Sequence, residues 1–243
     1  MSHIHLPDGV LPVWLWVSGF LLTVLIGAAL LRTLRREEMS NRLPLLGMMA
    51  AVMVLGASVE IVPIAYHVNL TVISGILLGP ALIFLATLVV NVILAMFGHG
   101  GITVLGLNTL ILSVEGVLGY YFFQLFWRVF KKLIPAVFLA TFLGLLVSTA
   151  SMVGVISLGT SHYAEMIHQG EDRGIFEFEW SKAKGDQHEP GAKKEEVNLG
   201  RFVRIMLPLG LIGWILEGVI TTLIARYICR IRPELLKLKG RTP

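Results

Sequence analysis

The chain has 243 residues, of which 55% are apolar and only 15% charged, with a formal net charge of +4 and a mean hydropathy of +0.77. A soluble domain carries about 25% charge, and a water-soluble fold of this size has too little interior for so much apolar surface, so its solvent is largely lipid. The bases lie scattered at the ends of apolar runs, which excludes a nucleic-acid footprint, and the single cysteine, Cys229, excludes an intramolecular disulfide or a multi-cysteine metal site.

A helix needs about 20 apolar residues to span the hydrocarbon core. Residues 11–31 form the first uncharged run, followed by Arg32 and Arg35–Arg36 rather than a small-residue cleavage pattern. It is expected to be a retained helix rather than a signal peptide. Residues 43–66 form the second run, interrupted only by Glu60. Gly79-Pro80 then divides the next stretch into 68–78, short for a full span, and 81–97, because proline disfavours the helical region for its predecessor. Gly98-His99-Gly100-Gly101 breaks the chain again, and runs at 107–127, 133–158 and 205–225 follow. The expectation is an all-α polytopic membrane protein, a bundle of about seven transmembrane helices forming one domain over 1–243. Residues 1–10 form an outer arm and 159–200 a polar extracytoplasmic loop.

Charge sets the orientation. Arg32, Arg35, Arg36 and Arg42 follow the first helix; Arg128, Lys131 and Lys132 follow the fifth; Arg226, Arg230, Arg232, Lys237, Lys239 and Arg241 end the chain. Seven spans put all three clusters on one side, and by the positive-inside rule that side is the cytoplasm. The amino terminus is then outside and the carboxyl terminus inside, in a cell inner membrane. Residues 159–200 hold nine acids and five bases, a net of −4. With few apolar residues beyond Phe176, Phe178 and Trp180, this segment is expected to be a mobile outer loop.

On this topology all seven histidines fall on the outer side. His162, His168 and His188 lie in the polar segment and read as solvated loop residues. Met1-Ser2-His3-Ile4-His5-Leu6-Pro7-Asp8-Gly9 places two imidazoles near an amine. An amine, a deprotonated backbone amide and an imidazole form adjacent chelate rings, and such near-planar nitrogen coordination suits nickel or copper(II) better than tetrahedral zinc. If Met1 is removed, the Ser2 amine, the His3 amide and the His3 imidazole supply three nitrogens, and another histidine the fourth. His67, in Pro63-Ile64-Ala65-Tyr66-His67-Val68-Asn69, is either that ligand or an interfacial histidine snorkelling to water. His99 in its glycine turn is either a further ligand or a turn residue with a satisfied ring.

These residues resemble a known family. His5-Leu6-Pro7-Asp8-Gly9-Val10-Leu11 is similar to the amino-terminal His-Ile-Pro-Asp-Gly-Phe-Leu signature of the CbiM/NikM family, the substrate-binding (S) membrane subunits of energy-coupling-factor cobalt and nickel transporters. The likeness continues through His67 and Gly79-Pro80, through Gly98-His99-Gly100-Gly101 and Leu105-Gly106-Leu107-Asn108, and through Glu217-Gly218-Val219-Ile220-Thr221 in the last helix. The resemblance implies that the amino-terminal arm tucks into the bundle from outside. There the terminal amine, a histidine amide and its imidazole bind the ion together with a second histidine, which corresponds to His67. The family's first histidine corresponds to His5, but the chain begins Met-Ser-His-Ile where the family begins Met-His. Either His3 takes the amine-linked role, or His5 binds by its ring alone. His99 stands where the family commonly has Asp. The resemblance also implies partners: two ATPase subunits, a transmembrane scaffold (T) subunit and a small accessory membrane subunit. The chain itself has no phosphate-binding Gly-Lys-Ser/Thr loop.

Ionisable groups inside apolar runs are expensive and point to function by default. Glu60 lies seven residues before His67, and shares its face if the second helix persists past Pro63, where it would orient a ligand ring. A glutamate bridging two helices is the other reading. Glu115 and Glu217 read as structural, paired with Asn91, Asn108 or Thr221. Asp8 caps the first helix or holds the arm. A stripe of small residues, Ala136, Ala140, Gly144, Ser148, Ser151 and Gly154, serves either another subunit or packing within the chain.

The function expected is capture of Co²⁺ or Ni²⁺ as cargo, with no resident cofactor and no enzymatic activity of its own. The ligand candidates are His67, His3, His5, Ser2 and His99, supported by Glu60, Asp8, Asn69 and Asn108. The alternatives are an intramembrane metal-dependent hydrolase using His67 and Glu60, for which no His-Glu-x-x-His pattern speaks, and an assembly protein whose histidines are incidental.

Overall fold

The computed structural model describes residues 11–34, 36–58, 60–61, 66–98, 100–167 and 199–236. Among them are seven α-helices and one short hairpin: α1 Val13–Thr33, α2 Arg36–Ser58, β1 Glu60–Ile61, β2 Tyr66–His67, α3 Thr71–Leu78, α4 Pro80–Met96, α5 Leu105–Phe130, α6 Leu133–Ile167 and α7 Leu199–Ile231. A 3-10 turn, Pro233–Leu236, follows α7. Helices α1, α2, α5, α6 and α7 are long and apolar enough to cross a membrane, and α4 adds 17 apolar residues. The seven expected segments therefore match the seven helices in order. Helix α6 continues past residue 158, and α7 starts before 205, so both extend into the polar stretch. Residues 168–198 of that stretch lie outside the described residues.

The second segment is corrected at its end. Hydropathy alone carries a helix through residue 66, but α2 stops at Ser58. The chain reverses into an antiparallel pair in which Glu60 stands opposite His67 and Ile61 opposite Tyr66. The sequence contains the reason: Pro63 has no N–H for a helical bond and biases the residue before it towards extended backbone. Glu60 and His67 are thus brought together across a hairpin, not along a helix face.

Helix α3 forms the centre of the bundle. All eight of its residues are buried, and it packs against α2, α4, α5, α6 and α7. Eight residues rise only about 12 Å, against a hydrocarbon core of about 30 Å, so both its ends fall inside the protein. There each backbone group needs a partner within the protein. At the start, Asn69 Oδ1 accepts the Thr71 N–H at 2.8 Å. At the end, the Gly79 N–H donates to the Gly75 carbonyl at 2.8 Å, and Arg42 Nη1 of α2 donates to the Leu78 carbonyl at 3.3 Å. Gly79 then turns the chain with φ 84° and ψ 172°, a conformation essentially confined to glycine. Pro80 opens α4, where its missing N–H costs nothing.

Close helix approach depends on small residues. A Cβ on Gly116 would meet Ile83 at 2.5 Å, and one on Gly119 would meet Val72 at 2.8 Å. Where α1 crosses α5, a Cβ on Gly106 would lie 2.7 Å from the Phe20 nitrogen, and Thr23 Oγ1 donates to the Gly106 carbonyl at 2.9 Å. The stripe on α6 resolves the same way. Ala136, Ala140 and Ser148 are buried, and Gly144 faces Val72 and the Glu115 carbonyl, so this part packs within the chain. Leu34, Leu133 and Leu236, beside the three basic clusters, all join the main core. A smaller cluster of Leu11, Leu15, Val104, Leu107 and Met152 ties α1 to α5 and α6 near the start of α5.

Candidate metal centre

His67 ends β2, three residues ahead of a helix N-terminus. It is half-buried, and its Nδ1 is fully enclosed. Two residues on, Asn69 is 3% exposed and lies among groups from distant parts of the chain. Its backbone N–H donates to Glu217 Oε2 of α7 at 3.1 Å. Its side-chain Nδ2 donates to Glu115 Oε1 of α5 in a short hydrogen bond. Its Oδ1 accepts the Thr71 N–H and so closes an Asx turn at the start of α3. Both glutamates are 0% exposed, and Ser148 of α6 also bonds the Glu115 carboxyl. One asparagine therefore joins the His67 segment to α3, α5 and α7.

This network also fixes the depth of the segment. Glu115 lies ten residues into α5 from Leu105, about 15 Å along the helix axis. Since α5 begins at the end opposite the basic clusters, Asn69 is held well inside the bundle below its outer rim. His67, two residues before it, lies within about 7 Å of this level along the chain. A small crevice beside the 68–70 connection is lined by Met53, Ala57, Val68, Asn69, Val90 and Leu112. The 68–70 connection is pressed against α2: a Cβ on Gly56 would lie 2.7 Å from the Val68 carbonyl oxygen.

Of the residues singled out in the sequence, the structure brings Asn69 to this level and sets the Glu60 backbone opposite His67. The Glu60 side chain lies outside the described residues, as do Ser2, His3, His5, Asp8 and His99. Asn108 is buried in the first turn of α5, seven residues before Glu115 and so on the same side of that helix. Among the described residues no three His, Cys, Asp or Glu side chains converge.

The two buried acids have a partner that was not among those expected. Asn91 turns its Nδ2 to the Thr87 carbonyl of its own helix at 3.0 Å, and Thr221 Oγ1 makes no hydrogen bond among the described residues. Glu115 and Glu217 share Asn69, which the sequence placed only beside His67. The local pattern Asn69-x-Thr71 does signal a turn at a helix start. Its long-range partners, 46 and 148 residues away, leave no such local mark.

Residues 5–235 match the family described as CbiM, cobalt uptake substrate-specific transmembrane region. The chain is 31% identical over 242 residues to the cobalt transport protein CbiM of Sorangium cellulosum, covering 96% of this chain and 94% of that one. It is 30% identical to the cobalt transport protein CbiM of Geobacter sulfurreducens, covering 97% of this chain and 62% of the relative. A fused chain named CbiMQ from Methanocorpusculum labreanum is 27% identical, and the present chain spans only 36% of its length. Two crystal structures described as a transition metal transporter, one of them truncated, share the fold. They superpose with TM-scores of 0.68 at 16% and 17% identity, covering 94% and 98% of this chain and 99% of each of theirs. A match over nearly the whole sequence, on a multi-pass helical bundle, means that the chain belongs to the CbiM family of substrate-specific transmembrane components of cobalt uptake.

Proposed function

We propose that the chain captures Co²⁺ or Ni²⁺ from the outer side of the membrane, with His67 as the fixed ligand. His3 or His5, together with the amine and amide nitrogens of the arm at 1–10, complete the coordination. The observation that supports this reading is the depth of the His67 segment relative to the point where the chain enters the bundle. Leu11 packs with Val104 and Leu107 at the start of α5, about 15 Å above the level of Asn69. Ten residues extend to about 33 Å, so the arm has ample length to bring its nitrogens down to His67. Imidazole and amide nitrogens suit both ions, which are neighbours in the affinity order.

Release to the cytoplasm requires work that this chain's residues do not supply. In our reading it comes from two ATPase subunits acting through a transmembrane scaffold subunit, with a small accessory membrane protein. The existence of a relative as one fused chain, CbiMQ, supports association with a further component. His99, Ser2 and Asp8 belong to the same outer face in this proposal, as an added ligand, a terminal amine and a support for the arm.

The test is metal analysis of the purified protein beside His3→Ala, His5→Ala and His67→Ala, each loaded equally with nickel or cobalt. Loss of bound ion is expected for His67→Ala and for one of the two arm variants. Unchanged stoichiometry in all three would overturn the proposal.

A further inference from the structure

We propose that Glu217 and Glu115 are positioning residues for the ion: by gripping Asn69 from two helices they set the depth and direction at which His67 meets it. The inference rests on the capture reading above. His67 and Asn69 are separated by one residue, so only three soft backbone torsions lie between the imidazole-bearing residue's Cα and the gripped Asn69 N–H. Asn69 is held at two separate atoms, its N–H by Glu217 Oε2 at 3.1 Å and its Nδ2 by Glu115 Oε1. On the other side of the histidine, the hairpin fixes its backbone against Glu60.

A ligand side chain must be held within about 0.5 Å of its productive position, and His67 ends a two-residue strand, not a helix. The two carboxyls supply what so short a strand lacks. Packing alone does not call for them, because an apolar side chain fills a lipid-embedded core at less cost than an acid. Each carboxyl instead offers an acceptor to a different donor of Asn69.

The experiment compares Glu217→Leu, which keeps volume but removes the acceptor, with Glu217→Gln, which keeps an acceptor oxygen. Ni²⁺ and Co²⁺ affinity and the visible absorption bands of each bound ion are measured on the full chain in detergent. The expected result is at least a tenfold loss of affinity and shifted bands for Glu217→Leu, with both restored in Glu217→Gln. A purely structural role would reduce the yield of folded protein but leave the spectrum of the bound ion unchanged. Wild-type affinity and spectrum in Glu217→Leu, or failure of Glu217→Gln to restore them, would overturn the inference.

Should Glu217→Leu not fold, Asn69→Ala releases the Glu115 grip; weakened binding with shifted bands is expected, and wild-type values would overturn the inference. His67→Ala separates the two levels. If it binds like the wild type, the capture reading falls and this inference with it. If it loses the ion while Glu217→Leu keeps affinity and spectrum, this inference alone falls.

Discussion

Gly75 and Gly116 meet backbone to backbone: a Cβ on Gly75 would lie 2.1 Å from the Gly116 carbonyl oxygen. The obstacle is main chain, which has no rotamer to change, so α3 must shift or tilt away from α5. Gly75→Ala is expected to destabilise the protein by about 3 kcal/mol, the upper part of the usual overpacking range. It should also weaken the Asn69 network, six residues towards the N-terminal end of α3. Gly47→Ala is the control, since a Cβ there meets nothing within 4 Å and alanine favours a helix by about 0.5–1 kcal/mol. Thermal unfolding in detergent should therefore show a clear drop for the first variant and none for the second.

The bundle was legible because its signal is bulk hydropathy, and bulk hydropathy survives without knowledge of contacts. Gly79-Pro80 marked the break between α3 and α4 for a local reason, the backbone demands of those two residues. The hairpin was not legible, although Pro63 carried its cause, because the apolar run, interrupted only by Glu60, continues through Tyr66 and hydropathy does not register a change of direction. Glu115 and Glu217 stood out as buried acids, but an acid announces its need for a donor without naming the donor. Asn69 supplies that donor from a position set by the tertiary fold alone. His67 was recognisable as a candidate by its place near an expected helix end, whereas its depth followed only from the bonds at Asn69.

Gly79→Ala isolates backbone strain from packing. A Cβ at this position meets nothing within 4 Å, yet the residue holds φ 84°. The expected loss is about 1–3 kcal/mol from conformation alone, without the displacement of α3 from α5 predicted for Gly75→Ala. Cysteine pairs reporting the α3–α5 separation, introduced on the background of each variant, would distinguish the two effects. Movement of α3 in Gly79→Ala would contradict the assignment.

Arg42 caps the C-terminus of α3 from a neighbouring helix, with Nη1 at 3.3 Å from the Leu78 carbonyl. A cation at that end also complements the partial negative charge of the helix terminus. Arg42→Gln is expected to cost about 1 kcal/mol and to leave ion affinity within twofold of the wild type, because the cap lies at the opposite end of α3 from Asn69. Parallel thermal unfolding and metal titration check both halves. A large loss of affinity with unchanged stability would show that the C-terminal end of α3 communicates with the ion.

If His67 and the arm close around one ion, binding must stabilise the folded protein, because the unfolded chain lacks the same site. At free ion one hundred times the dissociation constant the gain is about 2.7 kcal/mol, which raises the melting temperature in a concentration-dependent way. Ni²⁺ and Co²⁺ should each do so for the wild type, a chelator should reverse it, and His67→Ala should lose the effect at the same ion concentration. Zn²⁺ is the informative comparison, since a near-planar set of nitrogens offers it poor tetrahedral geometry. Its stabilisation should be smaller than that of nickel. Equal stabilisation by zinc would argue for a tetrahedral site, and hence for ligands other than an amine–amide–imidazole chelate beside His67.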